Sequence, residues 1–207
     1  MIDLFGNYNG AATFYFTGTG LTKYGTTIPK YALSKGHELA NHSYSHQSLA
    51  SIITEKQATI DEVKKVNDWY KENLDYTCKW FRGSGHSSNE YLWEYLTQIG
   101  MPATSGNYSH ADYSNGSATV EDIVNNLTSD EIPHGSVILN HSTKASGVTP
   151  DALEQVLPIL YEKGYRFCTL TQLFELQGID YEDIPTDGHI KRVYVENGEA
   201  VYEYRDK

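Results

Sequence analysis

The hydrophobic pattern switches between two periods along the chain. Residues 12–16, Ala-Thr-Phe-Tyr-Phe, form a short β-branched and aromatic run that stops at Thr17-Gly18-Thr19-Gly20, which predicts a strand and then a loop. Residues 29–35 read as a helix, with Pro29 near its first turn and Gly36 past its end, and residues 37–42 as a second short strand. Thr54 opens a longer helix, because Ile60, Val63, Val66 and the Trp69-Tyr70 pair fall on one face at helical spacing. Strand 77–81, helix 89–99 closed by Gly100, strand 102–105, helix 120–127 and strand 136–139 follow. Then come helix 150–163 stopped by Gly164, strand 166–170 and a short helix over 171–176. Strands and helices alternating at this spacing predict βα units around a parallel sheet or barrel. The last segment breaks the rhythm: Val193-Tyr194-Val195, Asn197-Gly198 and Val201-Tyr202-Glu203-Tyr204 carry the signature of a tight hairpin. The expected division is an α/β body over residues 1–178 and a C-terminal extension with a β-hairpin over residues 179–207.

Composition narrows the classes. The 207 residues, 39% hydrophobic and 13% aromatic, are enough for one domain with an ordinary core. No apolar run approaches the roughly 18 residues of a membrane span. The start, Met1-Ile2-Asp3-Leu4-Phe5, has no basic region or long apolar core, so an intact secretory precursor is not expected. The net charge is -11, from 16 basic and 27 acidic residues, with no basic stripe; neither a nucleic-acid backbone nor an anionic lipid surface is an expected partner. Cys78 and Cys168 lie in separate apolar segments, which argues against a disulfide framework and for two buried thiols. Seventeen tyrosines, with many Asn, Ser and Thr, resemble the composition of a secreted carbohydrate-active protein.

Candidate chemistry concentrates at strand ends. His42 and His46 form His-Ser-Tyr-Ser-His just after a predicted strand. Two imidazoles four residues apart on a turn can face one metal ion, though surface or core histidines fit the same spacing. A complete site needs a third ligand, usually a carboxylate, and an open position for water. His141 follows the apolar run 137–139, and the C-terminal end of a barrel strand is where such folds place chemistry. An acid or base role there stands beside the plainer reading of a hydrogen-bonded loop histidine. Arg82 also ends a strand, in Phe81-Arg82-Gly83-Ser84-Gly85-His86, whose backbone N–H groups could cradle an oxyanion or simply make a turn. No G-x-S-x-G elbow occurs, and Gly18-Thr19-Gly20 lacks the third glycine of a dinucleotide fingerprint. His37, His110, His134 and His189 carry no spacing argument and read as structural.

Together, several segments resemble the polysaccharide deacetylases of carbohydrate esterase family 4. Residues 11–18 look like that family's second strand, and Gly36-His37-Glu38-Leu39-Ala40-Asn41-His42-Ser43-Tyr44-Ser45-His46 is similar to its H-[ST]-x-x-H metal motif. Residues 81–89 resemble the Arg-Pro-Pro groove motif with both prolines lost, and Asp112-Tyr113 the Asp-Trp motif. Residues 135–141 resemble the Leu-x-His motif, and residues 162–170 the closing strand. The resemblance implies a distorted (β/α) barrel that removes acetyl groups from an N-acetylglucosamine polymer or acetylxylan, with a divalent metal, zinc or cobalt, as cofactor. It makes His42 and His46 metal ligands and His141 the acid, with Asp112 tuning it. Leu139 then lines the acetyl pocket, Tyr113 binds substrate, and the Gly85 N–H stabilises the oxyanion. Arg82 in that family holds the base. An extracellular or cell-surface setting follows from the substrate.

One departure is large: the family's first motif, Thr-Phe-Asp-Asp-Gly, supplies the metal Asp and the base Asp and has no counterpart in the 207 residues. The expectation is therefore an N-terminally truncated barrel or an inactive relative, with exposed strand edges that invite self-association. The hairpin is a candidate filler of that gap, although its spacing places it outside the barrel. A catalytically impaired or non-catalytic carbohydrate-binding relative is the rival reading.

Overall fold

The computed structural model describes residues 1–106, 108–109, 118–142 and 147–205. A short helix, α1 (Ile2–Gly6), precedes β1 (Thr13–Phe16), which pairs in parallel with β2 (Glu38–Asn41) from Thr13 opposite Glu38 to Phe16 opposite Asn41. His37 pins α1 in place: its Nδ1 accepts the Ala12 N–H at 3.0 Å, so Nε2 carries the proton and donates to the Ile2 carbonyl at 2.9 Å. Two helices, α2 (Gly18–Tyr24) and α3 (Thr27–Ser34), connect β1 to β2. The loop expected at 17–20 is thus the start of a helix. Thr17 caps it by accepting the Gly20 N–H, and Leu21 is buried beneath it, which outweighs the poor helix propensity of two glycines.

The sheet continues through single-residue bridges. The expected strand 77–81 narrows to Phe81, which bridges Asn41 on one side and Ala103 of β3 (Ala103–Thr104) on the other, both in parallel. A second small sheet pairs β4 (Tyr108–Ser109) with β5 (Ile138–Leu139) in parallel. Helices α4 (Lys56–Leu74), α5 (Glu90–Ile99), α6 (Val120–Thr128), α7 (Thr149–Glu162) and α8 (Leu170–Leu176) complete the body. Helix α4 buries Thr59, Val63, Val66 and Tyr70 on one stripe, against Leu39, Phe81, Leu92 and Leu96. None of the described helices is long and apolar enough to cross a membrane.

The hairpin, β6 (His189–Glu196) and β7 (Glu199–Tyr204), neither covers the outside nor lies beside β1. Strand β6 is parallel to β3, and the Val137 and Val193 N–H groups exchange bonds with the Lys191 and Gly135 carbonyls, both at 3.1 Å. It is therefore a member of the sheet. Gly135 is required there, since its φ is +80° and a Cβ would fall 1.7 Å from the Val193 oxygen. Asn197 and Gly198 both have positive φ, as a two-residue primed turn demands. Ile190 and Val193 join Trp80, Leu170 and Phe174 in the core.

The closing strand expected over 166–170 does not form a ladder. Among the described residues, one backbone bond, from the Ala11 N–H to the Phe167 carbonyl, links this segment to the residues just before β1. Closure depends instead on Glu38. Its carboxylate, 8% exposed, accepts from Thr13 Oγ1 at 2.7 Å, Trp80 Nε1 at 3.0 Å and both the N–H and Oγ1 of Thr171. Thr13 Oγ1 in turn accepts the Leu170 N–H at 2.9 Å. Replacing Glu38 by Ala strands these donors in the interior, so urea unfolding should show a loss of about 3 kcal/mol or more. A loss below about 1 kcal/mol would mean that closure rests elsewhere.

Candidate active site

Parallel pairing brings the C-terminal ends of the strands to one face. The residues just past β1, β2, Phe81 and β5 meet there around a groove of about 620 Å³ lined by His42, His46, Arg82, Leu139 and His141. Five of the residues singled out in the sequence are thus neighbours in space. Gly85 sits in a single 3₁₀ turn (Ser84–His86) at φ +56° and is not among the lining residues. Asp112 and Tyr113 lie outside the described residues.

His42 is oriented by its neighbour strand. Its Nδ1 lies 2.8 Å from the Arg82 carbonyl, an obligate acceptor, so Nδ1 carries the proton and Nε2 presents a lone pair. The His46 ring stands 4.8 Å away, centroid to centroid, at an interplanar angle of 70°. Burial pushes the His42 imidazole well below its ordinary value, with the Arg82 charge adding to the effect. Burial lowers His46 too, reinforced by His141. Both rings are neutral near neutral pH, the form that binds a metal ion.

Arg82 is the unusual feature. It is 9% exposed, burial lowers its pKa, and its guanidinium lies 4.0 Å over the Tyr15 ring. Among the described residues, neither an ion pair nor a side-chain hydrogen bond receives that charge. A buried unpaired cation is costly, and this one borders an apolar cavity of about 410 Å³ that runs along β1 between Thr13, Tyr15, Asn140, Phe167 and Cys168. Asn140 Oδ1 is also buried without a partner among the described residues. The imidazole pair fits the nitrogen half of a metal site. Among the described residues no third His, Cys, Asp or Glu completes a ligand group with it.

Tyr15 was missed by motif reasoning, although strand alternation marks it. Thr13 and Tyr15 share the face of β1 toward the cavity, while Phe14 and Phe16 pack into the helical layer. The Tyr15 hydroxyl shares a hydrogen bond with Thr104 at 2.5 Å, and its ring stands edge-on to His42 at 6.1 Å. It holds both groups beside the opening.

The chain belongs to the polysaccharide deacetylase family, whose model matches residues 1–104. It is 28% identical over 177 residues to a peptidoglycan-N-acetylglucosamine deacetylase of Bacillus cereus, covering 84% of this chain and 62% of that protein. It is 26% identical over 184 residues to a bifunctional xylanase/deacetylase of Pseudobutyrivibrio xylanivorans, covering 87% of this chain and 29% of that one. The chain therefore spans less than two thirds of the length of either relative. A family 4 acetyl xylan esterase of Clostridium thermocellum, solved with a cobalt ion, superposes with a TM-score of 0.77 at 25% identity, over 90% of this chain and 89% of that one. The fold is the (β/α) barrel type of these deacetylases, and the described sheet stays open beside β1.

The imidazole shifts set a sign for pH dependence. An unfolded histidine titrates near 6.5 and the folded His42 lies well below, so between the two the unfolded chain binds more protons and stability rises with pH. In metal-free protein, acidification below about 6.5 should steepen the loss of stability, and His42→Asn should flatten that slope. Parallel pH profiles of urea unfolding for the two proteins would contradict the assignment.

Proposed function

We propose that this chain is the body of a metal-dependent hydrolase that removes acetyl groups from an extracellular or cell-surface polysaccharide, either an N-acetylglucosamine polymer or acetylxylan. The observation that carries the reading is the convergence of His42, His46 and His141 on one groove beside a buried Arg82 that has no ion pair among the described residues. His42 and His46 hold a divalent cation, zinc or cobalt, through imidazole nitrogens, with Nε2 the free nitrogen of His42. A cation in such a site supplies a water nucleophile near neutral pH and polarises a carbonyl. His141, on the groove wall, gives a proton to the departing amine or alkoxide, and Asp112 tunes it. Leu139 shapes the acetyl pocket, Tyr113 meets the sugar, and the oxyanion role falls to the Gly85 N–H, which would have to reach the groove from the turn that follows Arg82.

Arg82 assigns a place to the remaining groups. A segment laid along the open edge of β1 and carrying carboxylates would give Arg82 a counter-ion and His42 and His46 a third ligand, both in one step. Until that edge is paired it also invites self-association. A non-catalytic carbohydrate-binding relative is the second reading, favoured by the two-imidazole ligand set among the described residues. The measurement that separates them is metal content with release of acetate from acetylated chito-oligomers and acetylxylan. His42→Ala or His46→Ala should each sharply reduce zinc or cobalt affinity without unfolding the chain, because neither ligand has a spare. His141→Ala should keep the metal and lower turnover by roughly 10²–10⁴-fold. Unchanged metal stoichiometry in both ligand variants, or full activity in the third, refutes the respective role.

A further inference from the structure

His46 takes no hydrogen bond on its ring among the described residues, so the backbone of its turn places the imidazole. That turn is conformationally demanding. Ser43 and His46 both sit in the left-handed region, at φ of 60° and 61°, which side-chain-bearing L residues rarely adopt. Something outside the turn must hold it there.

Helix α4 does so at two points. The Ser45 N–H donates to Glu62 Oε2 at 2.8 Å, one residue before His46. The Ser43 N–H donates to Asn41 Oδ1 at 2.9 Å, and Asn41 Nδ2 donates back to the Val63 carbonyl and to Asn67 Oδ1 of the same helix, at 2.9 and 2.8 Å. Asn41 is wholly buried and Glu62 is 7% exposed, an uncommon position for a carboxylate. Among the described residues the Ser45 N–H is the hydrogen-bond partner of the Glu62 carboxylate, and Glu62 is buried on α4 with Val63 and Val66.

We propose that Glu62 is a positioning residue for the deacetylase reaction: acting through the Ser45 N–H, it fixes the turn so that the His46 imidazole faces His42. The inference rests on the reading of His42 and His46 as ligands, and it names a residue outside the histidine motif on which that ligand pair depends. What Glu62 supplies is a hydrogen-bond acceptor at a set reach, so glutamine should replace it and an apolar side chain of the same length should not.

The test compares Glu62→Gln with Glu62→Met, which keeps the length and packing and removes the acceptor. Cobalt(II) alone is the probe, and backbone order parameters for residues 43–46 are measured on the metal-free proteins. Glu62→Met should bind cobalt 10–100-fold more weakly, the usual cost of losing a group that orients a ligand. Its turn amides should fall from about 0.85 to below about 0.6. Glu62→Gln should stay within about threefold of the wild type with a rigid turn. Equal cobalt affinity in Glu62→Met would overturn the proposal and leave Glu62 a purely structural residue. A Gln variant as weak as the Met variant would overturn it in favour of a charge effect. If the wild type binds no cobalt, the ligand reading fails and the order parameters alone decide: loosening in Met restored in Gln upholds the positioning role, and an unchanged turn removes it.

Discussion

The carboxylate of Glu38 joins two parts of the sheet that no ladder joins. Among the described residues a single backbone bond, from Ala11 just before β1, reaches residues 166–170, and Glu38 gathers donors from Thr13, Trp80 and Thr171 at the N-terminal ends of the strands. With that end tied, Trp80, Leu170 and Phe174 pack into one core with Ile190 and Val193 of the hairpin. The ladder from β1 to β2 then extends through Phe81 and β3 to β6. The same tie leaves the rest of the interval along β1 open as a cavity.

The two ends of that cavity are electrostatic opposites. Near one end the Glu38 carboxylate is saturated by four donors; at the other the Arg82 guanidinium is buried against Tyr15 with no counter-ion among the described residues. A cation at the junction of the groove and the cavity, without an ion pair among the described residues, favours an anionic partner, and a carboxylate laid along β1 would supply one. His42 and His46 flank the same spot with neutral imidazoles. Among the described residues, one missing contact accounts both for an arginine without an ion pair and for two histidines without a third ligating side chain, and the family match over residues 1–104 places the chain among polysaccharide deacetylases.

Much of this was legible in the sequence, for identifiable reasons. His42, His46 and His141 could be placed because each follows a short apolar run that had to end at the same face of a parallel sheet. The Asn197-Gly198 turn needs two positive φ values, and few dipeptides supply them. Long-range pairing was not legible. Nothing local in residues 189–196 shows that they enter the sheet beside β3, and nothing in 166–170 shows that its strand-forming residues lack a ladder partner. Residues 17–20 read as a loop because glycine propensity is local, whereas the cap on Thr17 and the burial of Leu21 depend on the folded context. Glu62 was invisible for the same reason: its partner is a backbone N–H in a turn seventeen residues away.

The proposed function puts the catalytic carboxylates along the open edge of β1. The direct test adds, ahead of Met1, a strand-length segment carrying Thr-Phe-Asp-Asp-Gly, and measures cobalt affinity and acetate release on the same preparations. The account predicts low activity for the 207-residue chain and a joint rise in both quantities on extension, because one segment supplies the ligand and the base. Robust metal-dependent deacetylation by the unextended chain would contradict it, since the third ligand and the base would then have to come from elsewhere in the chain.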